Sequence, residues 1–301
     1  MGAAMQNALA ALMMTLSMAA FAAEDAVIKH LSAHLPVGQV MAIIGLAGAA
    51  AFAVLVRRAG VRVWDRRALH GVVLLRNLSE MVGASAIVMA IALAPLSVVT
   101  AILQAMPLAV TLGAAVVLGE PVGWRRWSAI VVGFLGVLIV LRPWGADFEP
   151  AAALAVITVV ALSVRDLATR RIPPGIHSLQ LSVWGFLSVI PAGLLLMLLT
   201  GRMPVAPSVP DWGWLMFATA CGIGGYSALV FATRRGDVAV TTPLRYTRLV
   251  FAMAIGMIVF GERPDGWTYF GSALIVAAGL YTLWREVVRR RAPSADAAAP
   301  L

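Results

Sequence analysis

Residues 94 to 141 open on Ala94-Pro95-Leu96-Ser97-Val98-Val99-Thr100, run on apolar to Leu118-Gly119-Glu120-Pro121, and resume at Gly123-Trp124 with a second apolar run containing Gly136. Residues 236 to 284 repeat the phrase: Gly236-Asp237-Val238-Ala239-Val240-Thr241-Thr242, an apolar run, Phe260-Gly261-Glu262-Arg263-Pro264, then Gly266-Trp267 and an apolar run containing Gly279. With one residue inserted at Arg263, Thr100 aligns with Thr242, Glu120 with Glu262, Trp124 with Trp267 and Gly136 with Gly279. The chain is a duplication whose copies are built from apolar helices.

Composition sets the solvent. Hydrophobic residues make up 61% and charged residues 12% of the 301 residues, about half the charge of an ordinary soluble domain. A water-soluble fold of this size cannot hide so much apolar surface. The net charge of +9 does not point to nucleic acid, because its arginines lie in short loops between apolar runs rather than on a basic face. The lone Cys221 excludes an internal disulfide and a multi-cysteine metal site, and reads as a small packing residue.

Spanning a bilayer takes about 20 apolar residues per helix. Arg, Pro and Gly punctuation marks off ten such segments: 6–29, 36–56, 71–93, 96–118, 124–141, 151–169, 178–200, 212–233, 238–260 and 267–284. The expected fold is all-α and integral to the membrane, with ten transmembrane helices in two inverted five-helix repeats. Those repeats cover 1–146 and 147–291, and a disordered tail follows at 292–301. Five is odd, so the second copy enters the membrane in the opposite sense, the plan of many secondary transporters.

Charge bias orients the bundle. With the amino terminus in the cytoplasm, the inner side holds Arg57, Arg58, Arg62, Arg66, Arg67, Arg125, Arg126, Arg170, Arg171, Arg234, Arg235, Arg285, Arg289, Arg290 and Arg291. The outer side, with the loop of Asp147 and Glu149, holds Lys29, Arg142, Arg202 and Arg263. Fifteen against four places both termini inside. The first segment has a small-residue stretch, Ala20-Phe21-Ala22-Ala23, that resembles a signal cleavage site, but its leader carries no Lys or Arg. Its loss would leave four helices against five, so it is kept as a span.

Arg76-Asn77, Ala94-Pro95-Leu96, Thr100-Ala101-Ile102-Leu103-Gln104-Ala105-Met106-Pro107-Leu108, Leu118-Gly119-Glu120 and Gly123-Trp124-Arg125-Arg126 resemble the EamA-type families of the drug/metabolite transporter superfamily. The resemblance covers almost the whole chain. It implies a cofactor-free, multi-pass secondary transporter of small organic molecules in a bacterial-type inner membrane, and it implies no particular substrate. Relatives often carry an Arg in the second helix, where this chain reads Val40-Met41-Ala42-Ile43-Ile44-Gly45.

Ionisable residues inside a bilayer are costly and are paired, wet or functional. Arg76 and Glu80 are one turn apart, and read equally as a self-neutralising pair or as ligand contacts. Arg245 and Arg248 share a helical stripe with Thr241 and Ala252 and have no acidic residue on their own segment, which suggests a ligand carboxylate. Gln104, on the corresponding segment of the first copy, and Tyr226 and Tyr246, with Trp184 as a further aromatic, complete the expected cavity wall. Arg165 and Asp166 read as interfacial, Asp25 and Lys29 as an i,i+4 pair, and Glu120 and Glu262 as helix-end or gate residues. His30 and His34 share a spacing that metals use, but beside Pro36 they read as an exposed turn. Pro107 with Gly222, Gly224 and Gly225 are the expected hinge.

These residues favour an alternating-access carrier of an amino-acid-like metabolite or a riboflavin-like or nucleoside-like heterocycle. A broad-specificity drug/metabolite exporter is the alternative. An intramembrane enzyme needs a nucleophile or metal constellation, and a channel needs rings of like charge; the spans offer neither pattern. The expected partners are the substrate and the lipid bilayer, with no nucleic acid and a monomer or homodimer as the assembly.

Overall fold

The computed structural model describes residues 3–145 and 148–291, with side chains set out for 5–145, 148–237 and 239–285. The expected tail at 292–301 and Asp147 lie outside the described residues. The described residues form helices α1 Ala3–Ser32, α2 Val37–Arg58, α3 Gly71–Leu93, α4 Leu96–Leu103, α5 Met106–Leu118, α6 Trp124–Leu141, α7 Ala153–Arg170, α8 Ser178–Thr200, α9 Val209–Arg235, α10 Val238–Thr241, α11 Thr247–Val259 and α12 Gly266–Arg291, with a 3-10 turn at Pro243–Tyr246. Eight rods among the described residues are long and apolar enough to cross a membrane, α4 and α5 together counting as one. The apolar stretch at 238–260 is split, leaving 13 residues in its longest helix, and α12 opens on the interfacial types Trp267, Thr268 and Tyr269.

The duplication is visible in the packing. α2 packs on α8 and α6 on α12, each helix against its counterpart in the other half, and α4 packs on α11 across the two divided segments. The pairing of α1 with α9 is answered by that of α7 with α3, so the halves interlock. Gly38 meets Gly193 where α2 crosses α8, and Gly136 meets Gly271 where α6 crosses α12. These contacts bring backbones together as small residues do in lipid-embedded helix pairs.

Outward-facing residues are apolar: Leu198, Ile258 and Val209 are 80%, 83% and 87% exposed. Surface of this kind is suited to lipid and not to water. Trp124 and Trp144 stand at the two ends of α6, Trp267 and Trp284 lie on α12, and all four are exposed. This is the placement of the aromatic belts at membrane interfaces.

The repeated phrase also repeats in geometry. Gly119 and Gly261 both adopt positive φ, at 69° and 64°, the left-handed conformation that ends a helix. The following amide bonds back in the same way, Glu120 N to Ala114 O at 3.1 Å and Glu262 N to Gly256 O at 2.9 Å.

Two segments expected as continuous helices are broken. The first parts between Leu103 and Met106, and Pro107 enters the opening turn of α5, where a missing N–H costs nothing. The second passes through the 3-10 turn that Pro243 starts. The breaks fall at aligned positions of the two copies. By contrast α9 runs unbroken through Gly222, Gly224 and Gly225.

Candidate functional site

α3 and α7 carry an ionic network where they meet, bordered by α8. α3 and α7 pack antiparallel, with Leu162 filling the space at Gly83. One turn from each in opposite chain directions, Glu80 meets Arg165 at 3.2 Å. Glu80 also holds Arg76 at 3.4 Å, and Arg165 holds Asp166 at 2.8 Å. Arg76 lies against Gly185 of α8 and donates to Asn77 Oδ1 at 2.9 Å, while its buried Nε–H has no partner among the described residues. Tyr226 of α9 meets Ser182 Oγ at 3.2 Å and Phe52 edge to face.

Arg165 and Asp166 were expected at the interface and are here bound into the network. The signal was in the sequence: Glu80 lies three residues before Gly83, and Arg165 three after Leu162, so one helix-packing register brings both together.

Arg248 is neutralised, which corrects the expectation of two free arginines on that stripe. Its Nη2 and Nε lie 2.6 and 3.2 Å from Asp25 Oδ2, and its guanidinium stands 5.5 Å from the Phe21 ring centre. The expected Asp25–Lys29 pair is therefore replaced by two pairs reaching to other helices. Lys29 bonds the carbonyls of Ile91 and Ala94 at 3.2 and 2.6 Å and sits 3.7 Å from Glu262. Arg245 remains exposed, within electrostatic range of Arg165 and Asp166, with no hydrogen bond or ion pair to the described residues.

Gln104 and Tyr246 are brought together, but as a brace. The Gln104 amide donates to the Tyr246 carbonyl at 3.1 Å, and the Tyr246 ring is buried against Gly279 of α12. Trp184 is also used in packing: its indole N–H donates to Val63 O at 3.0 Å. Gly222 and Gly225 accommodate Glu24 and Phe21 of α1, and Gly224 faces open space. Cys221 and Gly224 line a shallow groove with Leu16 and Ala20.

The end of the bundle away from the termini is tied across the two halves. Glu262 accepts from Leu96 N, Ser97 N and Ser97 Oγ at 2.6, 3.0 and 2.7 Å, so a residue of the second copy caps a helix of the first. Gln39 bonds Val205 both ways at 2.6 and 2.9 Å. His34 meets Asp211 at 2.8 Å, and His30 packs on Trp214. Arg142 meets Asp265 at 2.6 Å. Although partial burial pushes the Asp265 carboxyl up, hydrogen bonds from Thr268 and Arg142 outweigh it and hold it below the usual carboxylate range. At the termini end the aligned Glu120 is exposed and holds only Arg170, at 3.3 Å, among the described residues.

Known proteins are similar to this chain. The EamA-like transporter family model matches residues 8–142 and again 150–284. A riboflavin transporter of Rhizobium johnstonii is 29% identical over 73% of this chain and 73% of its own. An S-adenosylmethionine uptake transporter of Rickettsia prowazekii is 26% identical over 70% of this chain and 71% of its own. The pseudopaline exporter CntI of Pseudomonas aeruginosa is 26% identical over 86% and 90%. One crystal structure covers 97% of this chain and 99% of its own with a TM-score of 0.62 at 19% identity, a likeness of fold alone. With both halves matched, this chain belongs to the EamA-like transporter family, membrane-embedded carriers of small molecules rather than enzymes.

Proposed function

We propose that the chain is an inner-membrane secondary transporter with ten spans in two inverted repeats, 1–146 and 147–291, moving a small organic metabolite by alternating access. The observation that carries the reading is the match of one family model to both halves. The split stretch at 238–260 and α12 supply the ninth and tenth spans. Trp267 and Trp284 stand seventeen residues apart, about 25 Å along a helix, which is close to a hydrocarbon core. The fifteen-to-four charge bias favours cytoplasmic termini. A monomer or homodimer acting on substrate and lipid, without nucleic acid, suffices.

The substrate site lies at the two broken segments, in the position where discontinuous helices hold substrate in repeat-built carriers. Arg76, Glu80 and Tyr226 form one wall, joined by Arg165, and Arg245 stands at the opening. Gln104 and Tyr246 brace the two breaks, and Arg248 is held by Asp25 of α1. Flexing of α9 is assigned to Gly224, since Gly222 and Gly225 are occupied by α1 side chains. Riboflavin, S-adenosylmethionine and pseudopaline, carried by the relatives, are the first substrate classes to try, and a broad-specificity exporter is the alternative.

Purified protein screened by thermal shift against a metabolite panel tests this reading, because a ligand of the folded state raises its melting temperature. A stabilising compound should also show saturable flux and counter-exchange in proteoliposomes. Flux without saturation or exchange contradicts a carrier.

A further inference from the structure

The ionic network of α3 and α7 gathers more positive charge than its carboxylates offset. Arg165 takes both Glu80 and Asp166, at 3.2 and 2.8 Å, and Arg76 shares Glu80 at 3.4 Å. Arg245, exposed in the 3-10 turn before α11, stands within electrostatic range of Arg165 and Asp166 and has no hydrogen bond or ion pair to the described residues. Three guanidinium groups thus meet two carboxylates. The nearby acids do not correct the balance. Asp25 is closed on Arg248 at 2.6 Å, Glu120 holds Arg170, and the charges acting on Glu24 are Asp25 and Arg248.

Two of the three arginines also have donors to spare. Arg76, itself within range of Arg165, Asp166 and Tyr226, keeps a buried Nε–H with no partner among the described residues, and the Arg245 donors are all unused by them. The network is open to a solute: the side chains of Arg76, Glu80, Arg165 and Asp166 are 13%, 17%, 23% and 38% accessible. A surplus charge inside a membrane bundle is costly and is kept where water or a ligand meets it. The surplus here is positive, so the ligand that relieves it is an anion.

We infer that the substrate is a net anion whose carboxylate or phosphate oxygens are taken by Arg245, with Arg76 and Arg165 supplying the surrounding positive field. The inference rests on the reading of the chain as a small-metabolite carrier and narrows its substrate class. The planar guanidinium matches either oxyanion through paired, charge-assisted hydrogen bonds. Glu80 and Asp166 anchor Arg165 and so hold the field in place, which is why their presence does not turn the site toward cations.

The test measures binding and counter-exchange in proteoliposomes with two series that vary charge on a fixed frame. One compares riboflavin with riboflavin 5′-phosphate; the other compares free amino acids with their N-acetylated anions and their cationic amides. The expected result is that the anion of a series binds about tenfold or more tighter than its neutral, zwitterionic or cationic counterpart, the scale of one charge-assisted bond. Which series shows the effect distinguishes phosphate from carboxylate. Arg245→Gln should erase most of that advantage and Arg245→Lys should keep part of it, which separates loss of charge from loss of fold. Equal binding across both series overturns the inference, as does preference for the uncharged, zwitterionic or cationic member, or an anion preference that survives Arg245→Gln. Saturable exchange of riboflavin without its phosphate overturns the inference and leaves the carrier reading standing. No binding or saturable exchange with any of these probes overturns both.

Discussion

Gln104 and Tyr246 occupy aligned positions in the two copies of the repeat, and they touch: the amide of Gln104 donates to the Tyr246 carbonyl at 3.1 Å. Each lies at the break of its own segment, so the interrupted helices meet where the halves cross. Gln104→Leu should therefore lower stability by about 0.5–1.5 kcal/mol, the net worth of an ordinary intramolecular hydrogen bond. Thermal unfolding in detergent measures this. A wild-type melting temperature would show that the brace contributes nothing.

The Asp25–Arg248 pair makes a prediction opposite to that of a free arginine. Removing one partner of a buried pair costs about 3–5 kcal/mol. Arg248→Gln and Asp25→Asn should each reduce accumulation in the membrane, and the double variant should recover much of the loss. Membrane yield and melting temperature read the cycle, and additive single effects would exclude coupling.

The Arg245 side chain has no ion-pair partner among the described residues to strand. Arg245→Gln should accumulate and melt as the wild type does and yet lose most transport. A variant that fails to accumulate would assign Arg245 to structure instead.

The tie between Arg142 and Asp265 has a defined pH window. The Asp265 carboxyl is held below its usual range, so the folded state binds its proton less readily than the unfolded chain does. Its stabilising contribution is complete above the unfolded value of about 4 and is lost as pH falls below it. Comparing the acid unfolding of wild type and Asp265→Asn checks the sign. The difference between them should be constant from neutral pH to about pH 5 and shrink below about pH 4.

Much of the fold is legible in the sequence, because spans announce themselves by length and apolarity, and a duplicated phrase fixes their pairing. The ends of α3, α5, α6 and α8 fall where Gly and Arg punctuation put them. The break at Gln104 was signalled by Pro107, an expected hinge, whereas that at Pro243 was hidden, since an apolar run reads the same whether its helix is continuous or divided. Site residues were legible as types and less so as partners. Asp25 looked paired with Lys29 because i,i+4 spacing is visible in one dimension. The actual partners, Arg248 and Glu262, are more than 200 residues away in sequence and are set by helix packing.

The central claim is that the two copies open and close opposite ends in turn, and Glu262 gives the handle. It caps α4 at the end away from the termini and carries a charge that Lys29 faces, whereas Glu120 at the other end is exposed. The decisive measurement is a pair of spin-label distances in the Cys221→Ala background, between residues 94 and 263 at one end and between 60 and 175 at the other, in wild type and in Glu262→Gln. The account predicts that Glu262→Gln lengthens the first distance and shortens the second. Both distances lengthening together, or the second staying fixed while the first opens, would contradict alternating access.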